Sequence, residues 1–149
     1  MDRVRTDYIS EKYYMTWYYN GQPLIAAPEE HIGFVYEIHN LITDRLYIGK
    51  KLFWTTVKLP PLKGKRNKRH RRIATDWQDY FGSNDPLKEA VALHGPSNFQ
   101  RTILYMCNNK NQMSYWETKT QFDRNVLFDN RYYNGMINCR ITSRGLKTP

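Results

Sequence analysis

Residues 33–39, GFVYEIH, alternate along the chain with the period of a strand, so Phe34, Tyr36 and Ile38 share one face. After the turn-like stretch from Asn40 to Arg45, the segment LYIGKK is predicted to return antiparallel to it. Alternation puts Tyr47, Gly49 and Lys51 on one side of this second strand and Lys50 on the other. Further on, Asp85 and Pro86 suit the cap and first turn of a helix that Gly95 closes. That helix is predicted over about 86–94, with Leu87, Ala90, Val91 and Leu93 as its apolar set. FQRTILYMC reads as a third strand ending at the polar turn NNKNQ. A second helix, from about Gln112 to Arg124, is expected to turn Met113, Trp116, Thr120 and Phe122 inward. A final strand is predicted at Met136 to Ile141. This order of elements predicts an α/β (α+β) domain, a small central antiparallel three-stranded sheet flanked by helices. Residues 1–30, rich in Tyr and Trp, form an aromatic-rich N-terminal extension that Asn20 and Gly21 turn into a hairpin. The main domain is expected over residues 31–149.

Composition narrows the class. A chain of 149 residues with 40% hydrophobic and 25% charged residues suits one compact domain with a real core, and excludes a disordered or fibrous chain. No window approaches the apolar length of a membrane helix, and the first twenty residues lack a signal peptide's apolar centre. Two cysteines, Cys107 and Cys139, in no metal-ligand spacing fit a reducing, cytoplasmic setting and no membrane partner. The net charge of +9 is local: KLPPLKGKRNKRHRR, from Lys58 to Arg72, carries eight Lys/Arg and no acid. The rest of the chain balances to +1. Such a run suits a polyanion, because Lys and Arg on phosphates release condensed counterions, although a solvated loop or a nonspecific tether has the same composition.

GFVY at 33–36 and YIG at 47–49 place Tyr36 and Tyr47 eleven residues apart across the predicted hairpin. The series continues with LKEAVALHGPSNFQRTIL, with Glu117 on the next helix, and with Tyr133 and Asn134 as a YN close. In these ordered features the chain, from about residue 33 to 138, resembles the GIY-YIG nuclease superfamily. YIGKK, DWQDYFGSN and YWE also look like its free-standing phage-encoded members. The resemblance implies a magnesium-dependent DNA endonuclease of homing or phage type, acting on double-stranded DNA and leaving 5′-phosphate and 3′-hydroxyl ends, with Mn²⁺ able to substitute. Within the family, one tyrosine of the pair acts near the attacking water and a single helical Glu binds the divalent cation. By position these roles fall to Tyr36, Tyr47 and Glu117. A lone carboxylate is chemically sufficient, since Mg²⁺ keeps several waters and takes other ligands from the substrate. Asn134 matches the family's supporting asparagine, and a turn asparagine is its alternative.

The family's arginine, on a short helix after YIG with a cation or His one turn later, finds no match at the usual spacing. Arg66 with His70 reproduces the one-turn interval and would share a face if this segment were helical. Arg69, Arg71 and Arg72 are alternative donors, and Lys51, on the Tyr47 side, is a further catalytic candidate. Lys50, Lys63, Lys65 and Lys68 are expected to hold the DNA backbone together with the arginines of the run. Ser83 and Asn84, just before a helix N-terminus, are candidates for a phosphate or equally for a helix cap. Two other readings stay open: a catalytically inactive nucleic-acid-binding module using the same basic segment, and a ribosome-associated basic protein. A homodimer would let two single sites address both strands.

Overall fold

The computed structural model describes residues 15–147, so residues 1–14 of the N-terminal extension lie outside the described residues. Seven strands are described: β1 (Trp17–Tyr19), β2 (Gln22–Leu24), β3 (Gly33–Asn40), β4 (Leu46–Leu52), β5 (Trp54–Leu59), β6 (Arg69–Ala74) and β7 (Phe99–Cys107). Two α-helices, α1 (Asp85–His94) and α2 (Lys110–Asp123), complete the regular structure with short 3-10 turns at Trp77–Asp79 and Pro96–Asn98.

The three central strands are antiparallel, β7-β3-β4, and the hairpin β1-β2 extends them to a five-stranded sheet of order β2-β1-β7-β3-β4. Asn20 and Gly21, both at positive φ, make the β1-β2 turn. The link between hairpin and sheet is parallel, Trp17 opposite Arg101 and Tyr19 opposite Ile103. In β3-β4, Tyr36 stands opposite Gly49, Ile38 opposite Tyr47 and Phe34 opposite Lys51, which puts all six on one face. That face packs into an aromatic core of Trp17, Phe34, Tyr36, Phe53 and Trp77, joined by Leu87 of α1. The opposite face buries Val35, Ile48 and Cys107 against Met113 of α2. Pairing between β3 and β7 shifts register at the Val35/Tyr36 step, where Leu104 is the extra residue. The bulge lets Leu104 and Tyr105 both serve the α2 side, where Tyr105 stacks on Trp116 at 4.8 Å.

Several local expectations are corrected. The basic run is a β-hairpin arm, not a helix, because Thr55, Thr56 and Val57 favour a strand and pair antiparallel with Arg71, Arg72 and Ile73. Pro60 and Pro61 end β5, and Gly64 at φ +84 turns the tip. Leu93 of α1 is 79% exposed, since the helical stripe from Leu87 runs through Ala90, Val91 and His94 and leaves Leu93 off it. Phe122 of α2 is likewise exposed, while Thr118 and Gln121 are buried; Thr118 meets the C-terminal stretch through its hydroxyl on the Asn138 carbonyl, 3.4 Å. The strand predicted at Met136–Ile141 does not form. Chain 131–133 instead lies along the open edge of β4, with Leu46 N–H on the Arg131 carbonyl and Tyr133 N–H on the Leu46 carbonyl, both 2.7 Å.

Candidate active site

Tyr36 is 1% exposed, because its ring fills the core and its hydroxyl crosses to β4. A Cβ added to Gly49 would lie 2.5 Å from the Tyr36 hydroxyl and 2.9 Å from Tyr47 Cε1, so only glycine lets the two tyrosines meet there. The ring centroids of Tyr36 and Tyr47 are 6.1 Å apart, and Tyr80 stands edge-on to Tyr36 at 6.0 Å. Tyr36 and Tyr80 are hydrogen-bonded through their side chains, and Tyr47 is bonded to Ser83. We expect Gly49→Ala to cost about 1–3 kcal/mol by overpacking and to displace the tyrosine pair. A guanidinium titration monitored by tryptophan fluorescence checks this, and an unchanged midpoint would contradict it.

Burial pushes the Tyr36 hydroxyl well above its ordinary pKa, and the nearby Tyr80, Tyr47 and Glu117 push it the same way. Tyr47, half-buried, is raised mainly by burial, opposed by the Ser83 hydrogen bond and helped by Tyr80 and Glu117. Both are therefore neutral phenols near pH 7, able to donate and accept. Glu117 comes from α2 on the other face of the sheet, yet its charge is felt at both phenols. β4 is the sheet edge, and Gly49 puts no side chain between helix and tyrosines. Burial raises the Glu117 pKa, and Lys50 pulls it back. Lys50 Nζ sits 4.0 Å from Glu117 Oε1, beyond hydrogen-bond reach, and donates instead to Ser114 Oγ at 2.9 Å.

Lys51 lies on the tyrosine side, its Nζ 4.1 Å above the Tyr80 ring and 2.7 Å from Asp76 Oδ1. The hydrogen bond from Lys51 holds the Asp76 carboxyl below its usual range. Among the described residues, Lys51 is thus the cation placed against Tyr80 on the tyrosine side. Arg66 lies in the exposed arm tip and His70 on β6 opposite Lys58, so the shared helical face expected for them does not exist. Lys63, Lys65 and Lys68 are also in the exposed tip, and Arg69 and Arg71 on exposed positions of β6. Arg72, also on an exposed position, folds back onto the body, donating to the Glu29 carbonyl at 3.0 Å and stacking on Trp54 at 4.5 Å, whereas Arg69 Nε donates within the arm, to the Pro60 carbonyl at 3.3 Å.

Asn134 is buried and acts as a substitute strand: its Oδ1 accepts from Ile48 N–H at 3.0 Å and its Nδ2 donates to the Ile48 carbonyl at 2.8 Å. Gln121 Nε2 shares that carbonyl at 3.2 Å. Together they clamp the YIG strand from the open edge. Asn84 caps α1, accepting from Leu87 N–H at 3.0 Å while donating to the Tyr133 carbonyl at 3.2 Å. Neither Tyr80 nor Arg101 is among the residues expected from the sequence: the DWQDYFGSN segment resembles the family without singling out Tyr80, and Arg101 is a buried arginine in a strand that alternation reads as ordinary.

The fold, with Tyr36 and Tyr47 packed together around Gly49 of the YIG strand, is that of a GIY-YIG domain. Residues 17–137 match the family described as "Putative endonuclease segE, GIY-YIG domain". The chain belongs to this family. No curated protein and no solved structure matches it.

Proposed function

We propose that the protein is a magnesium-dependent DNA endonuclease, homing or phage-encoded in type, that cuts double-stranded DNA to 5′-phosphate and 3′-hydroxyl ends and accepts Mn²⁺ in place of Mg²⁺. The observation that carries this is the pair of neutral phenols, Tyr36 and Tyr47, packed around Gly49, with Lys51 on their side of the strand and the largely shielded Glu117 on the helix behind it. No cluster of three or more His, Cys, Asp or Glu occurs among the described residues, so a metal here would rest on Glu117 with water and phosphate oxygens. The fit is chemically sound: a hard carboxylate oxygen, largely shielded and with no cation in hydrogen-bond contact, suits a hard divalent ion. Bound there, the ion would supply charge stabilisation to the phosphate and acidify water.

Residue by residue, Tyr47 has the exposure to touch the scissile phosphate or its attacking water, whereas Tyr36 is enclosed and positions Tyr80 and Tyr47. Lys51 would exchange Asp76 for a nonbridging oxygen, supplying the positive charge that phosphoryl displacement needs. Asn134 and Gln121 keep the YIG strand in place. A homodimer would join two such sites to cut both strands, and two free cysteines, Cys107 buried and Cys139 exposed, suit a reducing cytoplasm. Among the described residues no helix is long and apolar enough to cross a membrane.

One observation favours the catalytically inactive module: the arginines of the basic run stand on the arm, away from the tyrosine pair. Supercoiled plasmid with Mg²⁺ separates the readings. The expected result is nicking or cutting that EDTA abolishes and that Tyr47→Phe lowers by about 10²-fold, the scale of losing one transition-state hydrogen bond. Salt-sensitive retention without metal-dependent cutting would sink the nuclease reading.

A further inference from the structure

We propose that the β5-β6 arm is a two-stranded ribbon that enters the major groove of duplex DNA with one defined face, so that Arg69 and Arg71 read base edges while Arg72 serves only to hold the arm. This rests on DNA being the ligand, as the family membership implies, but not on catalysis. Cross-strand pairing sets the two faces. Trp54, Thr56 and Lys58 share one face with Ala74, Arg72 and His70; Thr55, Val57 and Leu59 share the other with Ile73, Arg71 and Arg69.

The first face is anchored at its base. Trp54 Nε1 donates to the Pro28 carbonyl at 3.0 Å, and Arg72, stacked on that indole, reaches the Glu29 carbonyl at 3.0 Å and the His31 carbonyl at 3.5 Å. The second face looks toward the site. Thr55 lines a groove of about 610 Å³ with Lys50, Lys51, Lys110 and Ser114 and one acid, Asp76, paired with Lys51, so cations outnumber acids from the arm to the ammonium beside Tyr80.

Size and charge fit the occupant. Six strand residues give the arm roughly 20 Å of reach, and two paired strands fit a major groove about 12 Å wide. The segment from Lys58 to Arg72 carries eight cations and no acid, matching a surface of phosphates. An arginine pointing into that groove meets guanine O6 and N7 with a two-pronged fit, which a lysine gives up when its position needs both prongs. Tip lysines Lys63, Lys65 and Lys68 are left to the backbones on either side.

The experiment is selection of bound duplexes from a pool with a randomised centre, in EDTA, followed by methylation interference on the enriched duplex. Wild type is expected to enrich a guanine-containing site, with interference at guanine N7. Arg71→Lys and Arg69→Lys should each lower affinity for that site about tenfold and lose the preference at one base, while keeping nonspecific binding. Lys63→Ala and Lys65→Ala should weaken all duplexes alike and reduce the salt slope by about 1 each. No enrichment, interference at adenine N3 of the minor groove, or unchanged selectivity in both arginine variants would overturn the proposal. Because metal is absent throughout, failure of plasmid cleavage would sink the nuclease reading and leave this result standing.

Discussion

Glu117→Gln is expected to reduce phosphodiester cleavage by roughly 10³-fold or more while DNA retention in EDTA stays at the wild-type level. Glutamine keeps the shape of the side chain and removes the charge that would hold a cation. The same change should stabilise the metal-free protein near neutral pH. Burial raises the Glu117 pKa in the folded state, so the folded chain binds this proton more tightly than the unfolded chain does. Stability from this group is present below the unfolded carboxylate pKa and is lost as pH rises through the raised folded value. At pH 7 the glutamate is a charge kept from water, and the amide is not. Thermal melts of both proteins in EDTA at pH 4 and pH 7 should therefore show the variant's advantage at pH 7 and little of it at pH 4. Wild-type cleavage by Glu117→Gln would remove the metal assignment, and an equal or lower melting temperature at pH 7 would remove the electrostatic one.

Arg101→Met should be strongly destabilising, by about 3–5 kcal/mol, enough to unfold a marginal domain at physiological temperature. Arg101 is 2% exposed and lies between Trp17 and Phe81, with its guanidinium carbon 4.8 Å and 4.1 Å from their rings. Nη1 donates to the carbonyls of Gln78 and Tyr80 at 2.8 and 2.9 Å, and Nη2 to that of Met15. Burial lowers its pKa to about 10, partly offset by Asp79, so it stays charged at neutral pH. Methionine fills much of the volume but leaves three carbonyls without their donor, a loss of roughly 1–3 kcal/mol for each one that stays dry. The segment 77–82 carries Tyr80, so activity should fall before the fold is lost. Chemical denaturation measures the first effect and plasmid nicking well below the melting temperature the second. A change under about 1 kcal/mol would show that water replaces the guanidinium.

Period-two alternation was enough to put Tyr47 and Lys51 on one side of β4 and Lys50 on the other, because side-chain direction in a strand is a local property. Turn and cap chemistry was mostly local: Asn20 and Gly95 stand at the ends they signal, while the cap of α1 is Asn84 and not Asp85, which takes the first helical position because the Asn84 side chain is the one that accepts from Leu87 N–H. Leu93 and Phe122 misled because apolar type says little about burial once the helix face is set by what packs on it. The arm misled because charge hid the β-branched run from Thr55 to Val57, and the Arg66 and His70 spacing suggested a helical turn in a segment that pairs with itself instead.

What the sequence by itself determined was most of the elements, the antiparallel β3-β4 hairpin with Tyr47, Gly49 and Lys51 on one side, and the run of charge without an acid. Those follow from neighbours a few residues apart. Only the tertiary structure decided that Lys51, rather than Arg66 or His70, stands with the tyrosines, that Tyr80 and Ser83 join them, and that Arg72 braces the arm. It also decided that Arg101 anchors the segment beneath the site, across 86 residues from Met15 and 21 from Tyr80. Such pairings depend on which surfaces bury one another, and burial is a property of the whole packed chain that no local period encodes.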